Sequence, residues 1–158
     1  MLIAAFAKLA RDFPDWKLRI LGEGSQRVSL LKQIEELGLS DQIEMPGVTD
    51  QVAEELSCSS IFVLSSRWEG LPLALIEAMS CANAIVAFDL PCVKDILSTD
   101  SAIIVPSGDV GKLADALHRM MVDETLRKAC GATALAESEK FSIENIGKMW
   151  INLFEQIQ

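Results

Sequence analysis

The stretch Ile61–Phe88, IFVLSSRWEGLPLALIEAMSCANAIVAF, leaves this chain few folds to choose from. Ile61–Leu64 is a continuous apolar run bounded by Ser59, Ser60, Ser65 and Ser66, which predicts a strand covered on both faces. Ala84–Phe88 repeats that character, and Leu73–Ser80 between them consists of good helix formers. A strand, a helix and a strand in this order make a βαβ unit with parallel strands. The rest of the chain must then supply helices for both faces of a parallel sheet.

The start of that helix carries the functional signal. Pro72 suits a first helical position, and it pushes Leu71 out of the α region into the cap position. Leucine has no side-chain acceptor, so the amides of Leu73 and Ala74 need water or a ligand. Gly70 lets another molecule approach the backbone closely. An uncapped helix start at the carboxyl end of a parallel strand suits phosphate or sugar oxygens. A water-capped helix is the plain alternative.

Two carboxylates frame this point: Glu69 on the loop and Glu77 inside the helix, roughly one and a half turns in at ~3.6 residues per turn. Ionised carboxylates accept hydrogen bonds and donate none, so hydroxyl groups are their natural partners, at about 1.5–3 kcal/mol per charge-assisted bond. Hydroxyls together with a phosphate describe a nucleotide sugar. Taken singly, Glu69 reads equally as a solvated acid and Glu77 as a polar-face residue.

The segment SSRWEGLPLALIEAMSCANAIVAF resembles the signature of family 4 glycosyltransferases, S-x-x-E-G-x-x-x-x-x-x-E-A-M, in which two glutamates flank seven residues. The resemblance extends to FPDWKLRILGEG, IEMPGVTD, IIVPSGD and FSIENIGKMW. It implies the C-terminal, donor-binding half of a GT-B enzyme, a Rossmann-like doubly wound α/β domain of about five parallel strands with helices on both faces. It further implies that the first strand is missing, together with an arginine and a lysine that hold the donor diphosphate, and that the N-terminal acceptor domain is absent. Ala82 and Ala84 stand where relatives usually have Gly and Pro, and Asp95 stands for a usual glutamate.

Composition is compatible. The chain has 158 residues, one domain's worth, half of them hydrophobic, and a net charge of −9 that argues against a nucleic-acid partner. Cys58, Cys81, Cys92 and Cys130 show no C-x-x-C spacing, and with His118 the lone histidine no metal site is expected. Reduced thiols, no apolar run near the ~18–20 residues of a membrane span and no signal peptide give a cytoplasmic expectation. Any peripheral association, at the inner face of the membrane, would run through the missing half.

In chain order, periodicity predicts a helix over residues 1–11 and a strand over Lys17–Leu21, with Trp16, Leu18 and Ile20 on one face. Gly22–Ser25 is a turn that lacks the last glycine of a dinucleotide fingerprint, because Arg27 stands there. A helix follows over Gln26–Leu37, then a strand over Ile43–Met45 ended by Pro46–Gly47. Thr49 or Asp50 should cap the next helix, which turns Val52 and Leu56 inward. A helical turn over Val93–Leu97, a strand over Ala102–Val105, and helices over Val110–Val122, Glu124–Glu139 and Ser142–Ile157 complete the reading. His118 is expected as a surface or half-buried helix residue. Arg67 and Lys94 are the nearby cations that could assist an anionic donor, though solvent-exposed charge is the plainer reading. By the resemblance, the final helix crosses back toward the N-terminal domain, so Trp150, Leu153 and Phe154 are expected to form an exposed apolar patch facing an absent partner.

By the resemblance, the parent enzyme transfers a hexose with retention from a UDP- or GDP-hexose donor to a hydroxyl acceptor, with no metal or other cofactor, in glycan synthesis. Glu77 would hold the ribose hydroxyls. Glu69, the expected catalytic residue, would hold donor-sugar hydroxyls. The amides of Gly70, Leu71, Leu73 and Ala74 would polarise sugar or phosphate oxygens, and the backbone at Val48 would meet the nucleobase. The alternatives are a non-catalytic nucleotide-sugar-binding fragment without turnover, and a glycoside hydrolase with Glu69 and Glu77 as its acid pair, ~5–9.5 Å apart.

Overall fold

The structure, a computed structural model, describes residues 1–157. It alternates helix and strand from the start: α1 (Leu2–Ala7), β1 (Leu18–Leu21), α2 (Arg27–Glu36), β2 (Ile43–Gly47), α3 (Val52–Ser57), β3 (Ile61–Leu64), α4 (Leu73–Ser80), β4 (Ala84–Phe88), α5 (Pro91–Ile96) and β5 (Ala102–Val105). Three helices close the chain: α6 (Val110–Val122), α7 (Glu124–Ser138) and, after a 3-10 turn over Glu139–Phe141, α8 (Ile143–Gln156). Period-two alternation decides which side chain meets which layer. Leu18 and Ile20, Ile43 and Met45, Ile61 and Val63, and Ala84, Val86 and Phe88 pack with α1, α2 and α6. Phe62, Leu64, Ile85 and Ala87 pack with α3, α4 and α5 on the opposite face. The result is a parallel α/β fold with helices on both sides, as expected.

The five strands divide into two ladders. β1 pairs with β2, and β4 lies between β3 and β5, all in parallel. β4 is buried along its whole length, whereas Ile61, Phe62 and Val63 of β3 are only partly buried, short of the full coverage expected. The physical reason is that β3 has a neighbour on one side only.

Local differences have local causes. α1 stops at Ala7 rather than residue 11 because the chain tightens into i→i+3 bonds, Lys8 to Ala5 and Leu9 to Phe6, while Leu9 and Ala10 remain buried. β2 runs through Pro46 to Gly47, with Gly47 opposite Leu21 across an irregular step in register. A proline without N–H is tolerated there because β2 has one free edge. The cap of α3 is Gln51, not Thr49 or Asp50; Thr49 Oγ accepts from the Gln51 amide at 3.0 Å instead. α5 begins two residues before the expected Val93, with Pro91 in its first turn. Asp109, Asp123 and Ser142 cap α6, α7 and α8 through their side chains.

The turn between α4 and β4 is held from outside. Ala82 has φ 57°, the left-handed region that favours glycine. Its carbonyl points at α7, and Gly131 is the residue that faces it.

Candidate functional site

In a parallel α/β fold, ligands bind at the carboxyl ends of the strands where the direction of winding changes. Here that edge carries Gly22–Gly24 after β1, Val48–Gln51 after β2, Ser65–Pro72 after β3 and Asp89–Leu90 after β4. The predicted residues Glu69, Gly70 and Leu71 lie on the loop after β3, Leu73, Ala74 and Glu77 on α4, and Val48 on the loop after β2. Gly70, Leu71, Leu73, Ala74, Glu77 and Val48 are exposed, and Glu69 is half-buried.

The α4 entrance differs from expectation by one residue. Pro72 is the cap (φ −77°, ψ 84°) and Leu73 the first helical residue, so neither Pro72 nor Leu71 has its predicted position. Those angles are close to an inverse γ-turn, and the Leu73 amide accordingly donates to Leu71 O at 3.0 Å. Leu73 is therefore not a free donor, against expectation. Leu75 and Ile76 both donate to Pro72 O, at 3.0 and 3.4 Å. Among the described residues, the amides of Gly70, Leu71 and Ala74 find no protein acceptor, and no side chain caps the helix. Three orphan N–H groups at a solvent-open helix start can take an anionic or hydroxyl oxygen.

Ser66 is the residue that sequence reasoning passed over, although it occupies the first place of S-x-x-E. Its Oγ donates to Glu69 Oε1 at 2.6 Å, a charge-assisted bond that fixes one carboxylate oxygen and leaves the other to accept. Glu77 is exposed and its carboxylate makes no ion pair or hydrogen bond among the described residues, so its acceptor capacity is unused. Of the two nearby cations, Lys94 is committed to Asp89 at 2.9 Å, while Arg67 is exposed without an ion pair among the described residues. Asp95 is exposed, and its carbonyl faces Lys140 Nζ. No group of three His, Cys, Asp or Glu side chains converges as a metal site among the described residues.

A hollow of about 200 Å³ lies at the end of β1 and the start of α2 rather than at this entrance. Gly22, Glu23, Gly24, Arg27, Leu30 and Met45 form much of its wall. Gly22 and Gly47 both adopt positive φ (107° and 94°), and the Gly22 amide donates to Gly47 O at 2.7 Å. The positive φ is what calls for glycine at Gly47, since the atom a side chain there would meet, Glu23 Oε1 at 2.9 Å, is the far end of an exposed side chain that can swing aside. Arg27, read from the sequence only as the residue that spoils a glycine fingerprint, donates through Nη2 to Met45 O at 2.6 Å. Its buried Nη1 lies 3.3 Å from Glu23 Oε1 without the alignment of a hydrogen bond.

Comparison with known proteins settles what kind of domain this is. The family model for glycosyl transferases, group 1, matches residues 1–136. The chain belongs to the group 1 glycosyl transferases. Among curated relatives of this family member, an exopolysaccharide phosphotransferase of Streptomyces coelicolor is 37% identical over 158 residues, covering 98% of this chain and 17% of its own. TarM of S. aureus, solved as a point mutant with UDP, fondaparinux and α-GlcNAc-glycerol, is 28% identical with a TM-score of 0.88, over 97% of this chain and 32% of that one. The isolated C-terminal domain of LpcC, a group 1 glycosyl transferase of Francisella tularensis, superposes with a TM-score of 0.82 at 23% identity, over 90% of this chain and 78% of that one. The fold is thus that of the C-terminal domain of GT-B glycosyltransferases. The chain spans less than half the length of the curated relatives it matches.

Proposed function

We propose that this domain binds the donor of a glycosyl transfer, a nucleoside diphosphate hexose, across the loops after β2 and β3. The observation that carries the reading is the uncapped start of α4, with three unpartnered amides between a held glutamate and a free one. Glu77 accepts from the ribose hydroxyls. Glu69, oriented by Ser66, accepts from hydroxyls of the donor sugar next to the reacting carbon. The amides of Gly70, Leu71 and Ala74 receive sugar or phosphate oxygens, and the backbone at Val48 meets the edge of the base. Catalysis then comes from holding donor and acceptor in register and from stabilising negative charge on the departing diphosphate. The transfer retains anomeric configuration and uses no metal, and a separate acceptor domain closes the cleft. That TarM was solved in complex with UDP supports a nucleotide as ligand.

A second reading, binding without turnover, is favoured by the shortage of free cations: Lys94 is committed to Asp89, leaving Arg67 to neutralise a diphosphate. The chain by itself should therefore bind a donor and turn over little or none of it.

Calorimetric titration with UDP, GDP, UDP-glucose and GDP-mannose tests the proposal, repeated with Glu77→Ala. Glu77 has no partner to lose among the described residues, so the variant should fold with stability within about 0.5 kcal/mol of the parent. Its donor affinity should fall by about 10-fold or more, the factor for one charge-assisted bond. Equal affinity in the two proteins removes the ribose assignment. In a full-length enzyme the product nucleotide separates reactions: glycosyl transfer releases the diphosphate, and sugar-phosphate transfer, suggested by the Streptomyces coelicolor relative's name, releases the monophosphate.

A further inference from the structure

Trp68 is 81% exposed and joins neither apolar cluster of the core. Its indole therefore holds no part of the fold together. Single exposed apolar side chains are ordinary on a protein surface, so position must decide what this one offers.

That position is fixed by its own loop. Ser66 Oγ donates to Glu69 Oε1 at 2.6 Å, which closes a short turn with Arg67 and Trp68 at its apex. A Cβ on Gly70 would stand 4.0 Å from Cη2 of the Trp68 ring, so the edge of the indole lies over Gly70. The amide of Gly70 is one of the three that find no protein acceptor among the described residues. An apolar wall, a held carboxylate with one oxygen to spare and open N–H groups thus border one spot.

A sugar ring suits this trio. Its rim carries hydroxyls, which donate to the carboxylate and accept from the amides. Its faces carry C–H bonds, which gain by leaving water for an aromatic surface. A phosphate has no apolar face, and the Glu69 carboxylate beside the ring repels it. Specific sites for small polar ligands combine these same ingredients, aromatic walls with a few placed polar groups.

We propose that Trp68 is a sugar-binding residue: its indole walls the donor-sugar subsite and takes a hexopyranose through a face free of axial hydroxyls. An axial hydroxyl on that face would leave water for a surface that cannot replace its hydrogen bonds. The inference rests on the donor reading above, and it adds the residue that tells a nucleotide sugar from its bare nucleotide.

The test is calorimetric titration of the chain, of Trp68→Ala and of Trp68→Phe, with UDP, UDP-glucose, GDP and GDP-mannose. Exposure of the indole keeps both variants folded, which far-UV circular dichroism checks. Trp68→Ala should leave affinity for the preferred diphosphate unchanged and lower affinity for its sugar by about 3- to 10-fold, the range for one aromatic contact. Trp68→Phe should recover most of that loss. Equal loss for diphosphate and sugar overturns the proposal, because the ring then touches the nucleotide or props the loop. No loss for either also overturns it, and leaves the indole to a protein or lipid surface. Failure of the donor reading looks different: the unaltered chain then binds none of the four ligands, and both readings fall. Loss of the ribose assignment alone, with Glu77→Ala binding as its parent does, leaves the sugar-specific effect of Trp68→Ala standing.

Discussion

Gly131→Ala should loosen the platform on which the candidate site is built. A Cβ at this position would stand 2.2 Å from the carbonyl oxygen of Ala82 and 3.1 Å from its carbon, more than an ångström inside ordinary contact at the oxygen. Both obstacles are backbone atoms of a tight turn, so no side chain can swing aside. Either α7 must back away from the turn or the turn from α7, and α7 is anchored by buried Cys130 and Ala134. Overpacking of this kind costs ~1–3 kcal/mol, with the rigid obstacle favouring the upper end. Against it stands the better helix propensity of alanine, ~1 kcal/mol. A net loss of about 2 kcal/mol is expected, or a fall in unfolding midpoint of about 4–8 °C for a domain of this size. Urea unfolding followed by far-UV circular dichroism measures it. The companion Ala82→Gly relieves a left-handed alanine and should add roughly 0.5–1 kcal/mol. It should not rescue Gly131→Ala, because the clashing oxygen belongs to the backbone. A Gly131→Ala protein as stable as its parent would refute the reasoning, since α7 and the turn would then be free to separate at no cost.

Two further expectations follow from titratable groups. Burial pushes the Glu137 carboxyl up, but hydrogen bonds from Ser101 and Ser98, with Lys140 nearby, outweigh it and hold the group below its ordinary value. A depressed carboxyl stabilises the fold above its unfolded pKa, so this contribution should be present at neutral pH and vanish as pH falls through the folded value. Glu137→Gln should flatten the acid limb of a stability–pH curve measured by urea unfolding. Burial also pushes the Cys130 thiol up, whereas Cys58 is exposed. Iodoacetamide at neutral pH should label Cys58 first and reach Cys130 only under unfolding conditions, as peptide mapping would read.

Much of the fold was legible in the sequence because its signals are local. The apolar runs at Ile61–Leu64, Ala84–Phe88 and Ala102–Val105 and the formers at Leu73–Ser80 define their elements to the residue. Asp109 announces its helix, and His118 lies exposed at the edge of Phe13 as a surface position should. Trp150, Leu153 and Phe154 stand 55, 46 and 54% exposed on α8, the apolar patch that the family resemblance implied. What periodicity does not carry is pairing between distant strands, so the division of the sheet and the bare edge of β3 were not visible. The site was legible as a motif and not as geometry. The γ-turn that takes the Leu73 amide out of play depends on the ψ angle of Pro72. Ser66 acquires meaning only once the loop folds it onto Glu69.

The central claim is that the open start of α4 seats an activated sugar. Backbone ¹⁵N–¹H spectra of the chain, recorded during titration with UDP-glucose and with GDP-mannose, test it most directly. One of these donors should shift the amides of Gly70, Leu71 and Ala74 together with that of Val48, and leave the already bonded amide of Leu73 less affected. Shifts confined to Gly22–Arg27 around the hollow, with the α4 amides unmoved at saturation, would contradict it.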